Sequence, residues 1–405
     1  MNYLMIGAGP AALAAAGTLR QADRTGRVTI LSREKIRPYS RMALPYVLAA
    51  RIEAEGAYSA LPEGVELLTG EKAVRIDAER REIETASGKV FLYDRLLIAS
   101  GGTPERPELE GGTLPFVFTI RDLPDVTGIL DRCDGKTGHA VIAGAGPVGM
   151  EAGDALHKLG WSVTFVVTSN RVFSTMLDSP AAELVARKLR EQGVEILTGE
   201  DIVTIGPSGE VRLKSGKTRT CNLMIFGKGV HPCLDFLEGS GIAVGRGIVV
   251  DESQETSVPG VYAAGDVAET MDIIHGDRRV NALWPLAVEQ GRVAALNMAG
   301  IPATYPGSLA RNILRIFGVS ILTAGAGRAE QGYDIMTEQG PDFYHKIVMD
   351  KGLLKGFIFV GEVRNEGLYT SLIKTKTDVS AYAGSLLQGS YGYSRHLARS
   401  MKTGV

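Results

Sequence analysis

Residues 2–20, NYLMIGAGPAALAAAGTLR, run from an apolar strand through Gly-Ala-Gly-Pro into an alanine-rich helix, and residues 139–160, HAVIAGAGPVGMEAGDALHKLG, repeat the pattern. Gly7 and Gly9 recur as Gly144 and Gly146. In such a loop the first glycine lets the chain turn and the second lets the backbone come close to a pyrophosphate. The third position, Ala12 or Gly149, allows close helix–strand packing. Pro10 and Pro147 open the two helices, followed by Ala11 and Val148, so free N–H groups and about half a positive charge face the phosphates. Each copy continues into a second strand, VTIL at 28–31 and SVTFVV at 162–167. A single glycine-rich turn is a weak signal, because such turns occur without ligands. Two of them, each leading into a second strand, predict two dinucleotide sites in one chain.

The acid expected after each second strand differs between the copies. Glu34 follows VTILSR, somewhat later than the usual ~20 residues after the loop. It reads either as a carboxylate on adenosine ribose hydroxyls or as a solvated turn residue. In the second copy the matching place is Val167, followed by Thr168, Ser169, Asn170 and Arg171. Without a carboxylate there, NAD is not positively selected. Arg171 reads equally as a partner for a 2′-phosphate and as a surface arginine.

Composition bounds the rest. At 405 residues the chain is long enough for two or three domains. A formal net charge of −2 gives no basic field to recruit nucleic acid or anionic lipid. The 50 glycines are about 12% of the chain against a usual ~7%, an excess that fits many tight turns and close backbone approaches. Cys133, Cys221 and Cys233 form no Cys-x-x-Cys pair, which argues against a disulfide scaffold, an iron–sulfur cluster or any metal site. The opening MNYLMIGAGP lacks a basic segment before its apolar stretch, and no run approaches the ~18 apolar residues of a spanning helix. The expectation is a cytoplasmic protein without membrane association.

Two further segments extend the pattern. YDRLLIASGGTPERP, 93–107, is a strand entering a turn at Ser100 and Gly101. GIVVDESQETSVPGVYAAGDVAE, 247–269, is a strand, a turn and a second strand ending at Gly265-Asp266. An aspartate there, ahead of a helix, can bond a flavin ribitol or act as an N-cap. Gly229 completes the candidate cofactor-binding set. Chains with two dinucleotide sites usually pass a hydride from a nicotinamide to a flavin.

With these four motifs in this order, the chain resembles the FAD-dependent pyridine-nucleotide–disulfide oxidoreductase superfamily over nearly its whole length. PYSR at 38–41, NALWPLAVEQGRVAALNMAG at 281–300 and the tail from 356 are most similar to NADH:rubredoxin reductases and the flavin portion of NADH-dependent nitrite reductases. The resemblance implies an α/β fold: two Rossmann-like, three-layer dinucleotide-binding domains plus a smaller α+β C-terminal domain. It places an FAD domain at 1–112 with 244–312, an NAD(P) domain at 113–243, and an interface domain at 313–405.

The resemblance also assigns roles. Relatives that reduce coenzyme A disulfide or reduce oxygen to water carry a redox cysteine where this chain has Met42, within YSRMALPY. A thioether cannot form a thiolate or take electrons from reduced flavin, and Met42 reads as an apolar filler against the ring. Arg41 matches an arginine beside the flavin, stabilising its reduced charge or clamping it; the alternative is an arginine paired with a surface carboxylate. Glu151 matches a carboxylate near the nicotinamide, or is a helix-surface glutamate. Trp284 and Pro285 match the segment at the flavin's pyrimidine side, although a tryptophan in an apolar run is as often core. Arg41 and Glu151 are thus the candidate catalytic residues. The implied activity is electron transfer from NAD(P)H through FAD to a one-electron iron–sulfur carrier of rubredoxin or ferredoxin type, or to the iron–sulfur subunit of a larger enzyme. A flavin-only oxidase or diaphorase acting on oxygen, a quinone or a sulfur compound stays open, as do a flavin-bound signalling protein and a homodimer. Lys374, Lys376, Arg395, His396, Arg399 and Lys402 make the C-terminus basic, either a docking patch for an acidic carrier or a solvated tail.

Overall fold

The computed structural model describes residues 1–362 and 366–389. Contacts divide the chain into two compact units, one of Met1–Pro104, Arg121–Leu123 and Val230–Leu309, the other of Glu105–Ile120, Pro124–Gly229 and Ala310–Val405. Contacts thus draw the boundaries at 104/105 and 229/230, where the sequence reading has 112/113 and 243/244. The second unit also takes in the antiparallel sheet near the C-terminus.

The first unit is built on a five-stranded parallel sheet in the order Val261–Ala263, Arg95–Ile98, Asn2–Ile6, Arg27–Ser32, Val65–Thr69. Successive side chains on a strand point to opposite faces, and the sequence fills both. Tyr3, Met5, Val28, Ile30 and Leu97 pack under the Pro10–Ala22 and Trp284–Met298 helices. Leu4, Ile6, Leu31, Leu96 and Ile98 pack with Ile76 and Ile83, on the three-stranded antiparallel meander of Ala73–Asp77, Glu82–Thr85 and Val90–Leu92. Three layers result. Strands buried on both faces explain why these stretches read as nearly continuous apolar runs.

The second unit repeats this plan. Its parallel sheet runs Glu195–Thr198, Ser162–Val167, His139–Ala143, Leu223–Phe226, Val117–Thr119. A meander of Ile202–Ile205, Glu210–Leu213 and Thr218–Thr220 again lies between the third and fourth strands of the repeat. Only the outermost strand differs in origin: it comes late in the chain in the first unit, from 261–263, and early in the second, from 117–119. Both central strands therefore end at a point where the neighbouring strands lead off in opposite directions, the place where this architecture binds dinucleotides.

From Arg311 the second unit adds a five-stranded antiparallel sheet ordered Arg311–Ile316, Val319–Gly325, Leu353–Val360, Tyr344–Asp350, Asp334–Gln339. The helices Glu366–Lys374 and Ala383–Leu387 come after it in the chain. Among the described residues no helix is long and apolar enough to cross a membrane.

Candidate functional site

The two glycine loops have the same geometry. Gly7 (φ +102°) and Gly144 (φ +110°) take the left-handed backbone, and an added Cβ would stand 2.2 Å from the Ala99 carbonyl oxygen or 2.4 Å from that of Gly227. Each turn is therefore pressed against the end of the fourth strand, where no side chain fits. The second glycines are of another kind. Gly9 and Gly146 sit in ordinary extended backbone (φ −83°, ψ −174° and φ −86°, ψ −177°) as helix N-caps. Nothing lies within 4 Å of a Cβ built on either.

No side chain caps these two helices, and proline comes directly after each N-cap. The first intrahelical bonds are Leu13 N–H to the Gly9 carbonyl and Met150 N–H to the Gly146 carbonyl. The N–H groups of Ala11, Ala12, Val148 and Gly149 precede them and point along the helix axis, a donor set that fits a pyrophosphate. The residues present thus suit a dinucleotide in each unit.

In the first unit, Ala12 is fully buried and Ala11 meets the Trp284–Met298 helix. That crossing depends on Gly291, where a Cβ would lie 2.2 Å from the Ala11 carbonyl oxygen. Gln290, 2% exposed, accepts the Gly265 N–H at 2.7 Å. The chain after Gly265-Asp266 does not form the expected helix. It runs straight into the strand Ala268–Met271, so Asp266 has no helix to cap. Its carboxylate instead pairs with Arg121 at 3.2 Å. Ser100 donates its hydroxyl to the Cys233 carbonyl at 3.0 Å, and Gly101 takes φ +69° beside the Arg121 guanidinium.

Glu34 and Arg41, read from the sequence at opposite ends of a flavin cofactor, are brought together. Arg41 Nη2 lies 2.5 Å from Glu34 and 3.1 Å from Asp122. Met42 is 58% exposed and Trp284, at the start of its helix with Pro285, is 45% exposed, so neither is core. Cys133 and Cys221 are buried, and burial pushes both thiols up to about 11. Cys233 is only half-buried.

In the second unit Val167 is buried at the end of its strand, and its carbonyl accepts the Glu200 N–H at 3.2 Å. Arg171 donates to the carbonyls of Leu177 (3.3 Å) and Ser174 (3.5 Å) and to the Asn170 side chain (3.4 Å). Those partners carry no charge, and Arg171 forms no ion pair among the described residues. Val167→Glu should raise the preference for NADH, because a carboxylate repels a 2′-phosphate of about two negative charges. The ratio of kcat/KM for the two cofactors is the measurement, and an unmodified enzyme that already prefers NADH by orders of magnitude would contradict it. Gly229 (φ +107°) is open, and its neighbour Lys228 pairs with Asp201 at 2.6 Å.

Glu151 lies in the helix that opens at Pro147. Burial first, then the negative charge of Asp154, push its carboxyl from the ordinary 4.5 up to about 7. It therefore titrates near neutral pH. A raised pKa means the folded state binds the proton more tightly than the unfolded chain. Relative to Glu151→Gln, this contribution to stability is fully present below about pH 4.5 and is lost as pH rises to about 7. The Gln variant should be more stable at pH 8 by about 1–3 kcal/mol, the gap closing near pH 4–5. Denaturant midpoints of both proteins across this range check it, and parallel curves would contradict it.

Sequence reasoning missed Tyr39, Arg121 and Asp122. The pair Arg121-Asp122 comes just after the strand Val117–Thr119, but no spacing rule ties it to residues 80 positions earlier. Gln290 carried a usable signal, as a polar residue within an otherwise apolar helix face. The basic residues Arg395, His396, Arg399 and Lys402 lie outside the described residues.

Comparison with known proteins agrees with this geometry. Over 394 residues the chain is 31% identical to the NADH-dependent phenylglyoxylate dehydrogenase subunit epsilon of Aromatoleum evansii, covering 94% of this chain and 93% of the relative. It is 29% identical to the rubredoxin-NAD(+) reductase of Pseudomonas putida, over 76% of this chain and 82% of that one. Among solved structures, a NAD-dependent persulfide reductase from A. fulgidus superposes with a TM-score of 0.88 at 26% identity, covering 95% of this chain and 79% of that one. The model of the family described as pyridine nucleotide-disulphide oxidoreductase matches residues 1–291. The chain belongs to that family of oxidoreductases, whose cofactors are FAD and NAD(P)H.

Proposed function

We propose that this flavoprotein passes electrons from NAD(P)H through FAD to a one-electron iron–sulfur carrier, either a small rubredoxin- or ferredoxin-type protein or the iron–sulfur subunit of a larger redox enzyme. The observation that carries the reading is Met42. Set against thiol-using relatives, it stands in the place of the redox cysteine, and two of the chain's three cysteines are buried with raised pKa values. With no thiol to receive an electron pair at that place, electrons leave from the flavin itself. The likeness to a subunit of an NADH-dependent dehydrogenase and to a rubredoxin reductase supports the same acceptor class.

Bound FAD supplies the ability to take a hydride and give up electrons singly. The chain's residues do the rest. In this reading 1–112 with 244–312 hold FAD and 113–243 hold NAD(P)H. The N–H groups of Ala11 and Ala12 receive one pyrophosphate, and those of Val148 and Gly149 the other. Glu34 takes the adenosine ribose, Arg171 the 2′-phosphate end of NADPH, and Glu151 holds a proton beside the nicotinamide. Trp284 and Met42 offer apolar surface to the ring.

Anaerobic titration followed by reoxidation tests this. One NAD(P)H per flavin should complete reduction; a requirement for two would reveal a second redox centre. Reoxidation should be fastest with rubredoxin or ferredoxin. The persulfide reductase likeness favours a second reading, a bare flavin reducing a small sulfur compound. Faster reoxidation by persulfide, quinone or oxygen than by any carrier would select it.

A further inference from the structure

The strand Arg27–Ser32 delivers Glu34 to a position fixed from several sides. Its N–H donates to Ser32 Oγ at 3.2 Å, and its carbonyl accepts the Gly70 N–H at 3.0 Å. Its Oε1 receives Arg41 Nη2 at 2.5 Å and its Oε2 receives the Tyr39 hydroxyl at 2.7 Å. Both donors are themselves anchored. Arg41 Nε donates to the Arg121 carbonyl at 3.1 Å, and its Nη2 also reaches Asp122 Oδ1 at 3.1 Å. The Tyr39 oxygen accepts the Leu123 N–H at 3.1 Å, and burial holds the phenol above its ordinary 10, so it stays a donor to Glu34.

A carboxylate offers about four acceptor positions. Arg41 and Tyr39 take one on each oxygen, leaving one on each. Two neighbouring acceptors are what a vicinal diol can fill with its two hydroxyls. Meanwhile the Arg41 guanidinium is engaged with two carboxylates and a carbonyl of its own unit.

We propose that Arg41 and Tyr39 are positioning residues that orient the Glu34 carboxylate for the adenosine ribose diol of FAD, so that Arg41 governs retention of the cofactor rather than the chemistry of its ring. The proposal rests on the reading of the first glycine loop as the FAD site.

The test is a double-mutant cycle on FAD release, monitored by flavin fluorescence on dilution of holoenzyme. Arg41→Gln and Glu34→Gln should each weaken FAD binding about tenfold. The double variant should be no weaker than Glu34→Gln alone, because Arg41 acts through Glu34. Arg41→Lys should recover part of the loss. The flavin midpoint potential of FAD-saturated Arg41→Gln should match the unmodified protein. Tyr39→Phe removes only a hydroxyl and should show the same dependence on Glu34, which keeps the test intact if Arg41→Gln folds poorly. Additive losses in the double variant would overturn the proposal, as would unchanged FAD affinity with a lowered potential. Identification of a different electron acceptor would leave this cycle untouched, whereas an unmodified chain that fails to hold FAD would remove its premise.

Discussion

Gly146→Val should give a protein that is folded and yellow yet reduced by NAD(P)H only at far higher concentrations, with KM raised on the order of a hundredfold. The fold loses little, because Gly146 has φ −86° and nothing lies within 4 Å of its Cβ. Exchanging one uncapped N-cap residue for another costs about 0.5–1 kcal/mol. The cofactor loses much more. In the proposed reading a branched side chain would occupy the space through which the N–H groups of Val148 and Gly149 reach the pyrophosphate, and two charge-assisted hydrogen bonds are worth about 1.5–3 kcal/mol each. Flavin content should stay normal, since FAD is assigned to the other loop, and photoreduction should still bleach the flavin. Gly144→Val is the contrasting control. Its φ of +110° and the Gly227 oxygen 2.4 Å from the new Cβ make that change a defect of folding. An unaltered KM in folded Gly146→Val would show that this loop does not hold the phosphates.

Lys346→Met should destabilise the second unit by about 3–5 kcal/mol. Lys346 on the strand Tyr344–Asp350 and Asp178, the N-cap of the Ser179–Arg190 helix, pair at 3.0 Å with side chains 4% and 6% exposed. Tyr344 donates to the same Asp178 oxygen at 2.9 Å, and Lys346 also donates to the Ala329 carbonyl at 2.8 Å. Methionine fills the volume but strands a buried carboxylate without its counter-charge. The surface pair Arg27–Glu66, 70% and 42% exposed, is the comparison. Solvent screens it, and Arg27→Met should change stability by less than about 1 kcal/mol. Denaturant unfolding of both variants decides the matter; equal small losses would mean that the Lys346 pair is hydrated in solution.

Much of the site was legible because it is local. The strands Arg27–Ser32 and Ser162–Val167, the turns at Gly7 and Gly144 and the helices after them depend on patterns within about 20 residues, and the structure places them where the spacing predicts. The repeat of the loop also announced a repeat of the fold, although the meanders that complete it carry only weak alternation.

The segment after Gly265-Asp266 departs from the sequence expectation for a physical reason. An aspartate before an apolar stretch suits an N-cap and a strand end alike, and only pairing with Ile248–Val249 and Arg278–Arg279 turned Ala268–Met271 into a strand. Arg41 shows the limit more sharply. The resemblance implies an arginine beside the flavin, but its partners, Glu34 and Asp122, lie 7 and 81 positions away. Gly291 against Ala11 and Lys346 against Asp178 are of the same kind. Local pattern was enough to predict the two glycine turns and the strands and helices that flank them, and to show Met42 where relatives carry a cysteine, because backbone preference and side-chain chemistry act over a few residues. Tertiary structure decided which charges meet, because burial and pairing depend on segments that approach only once the sheets and helices have packed.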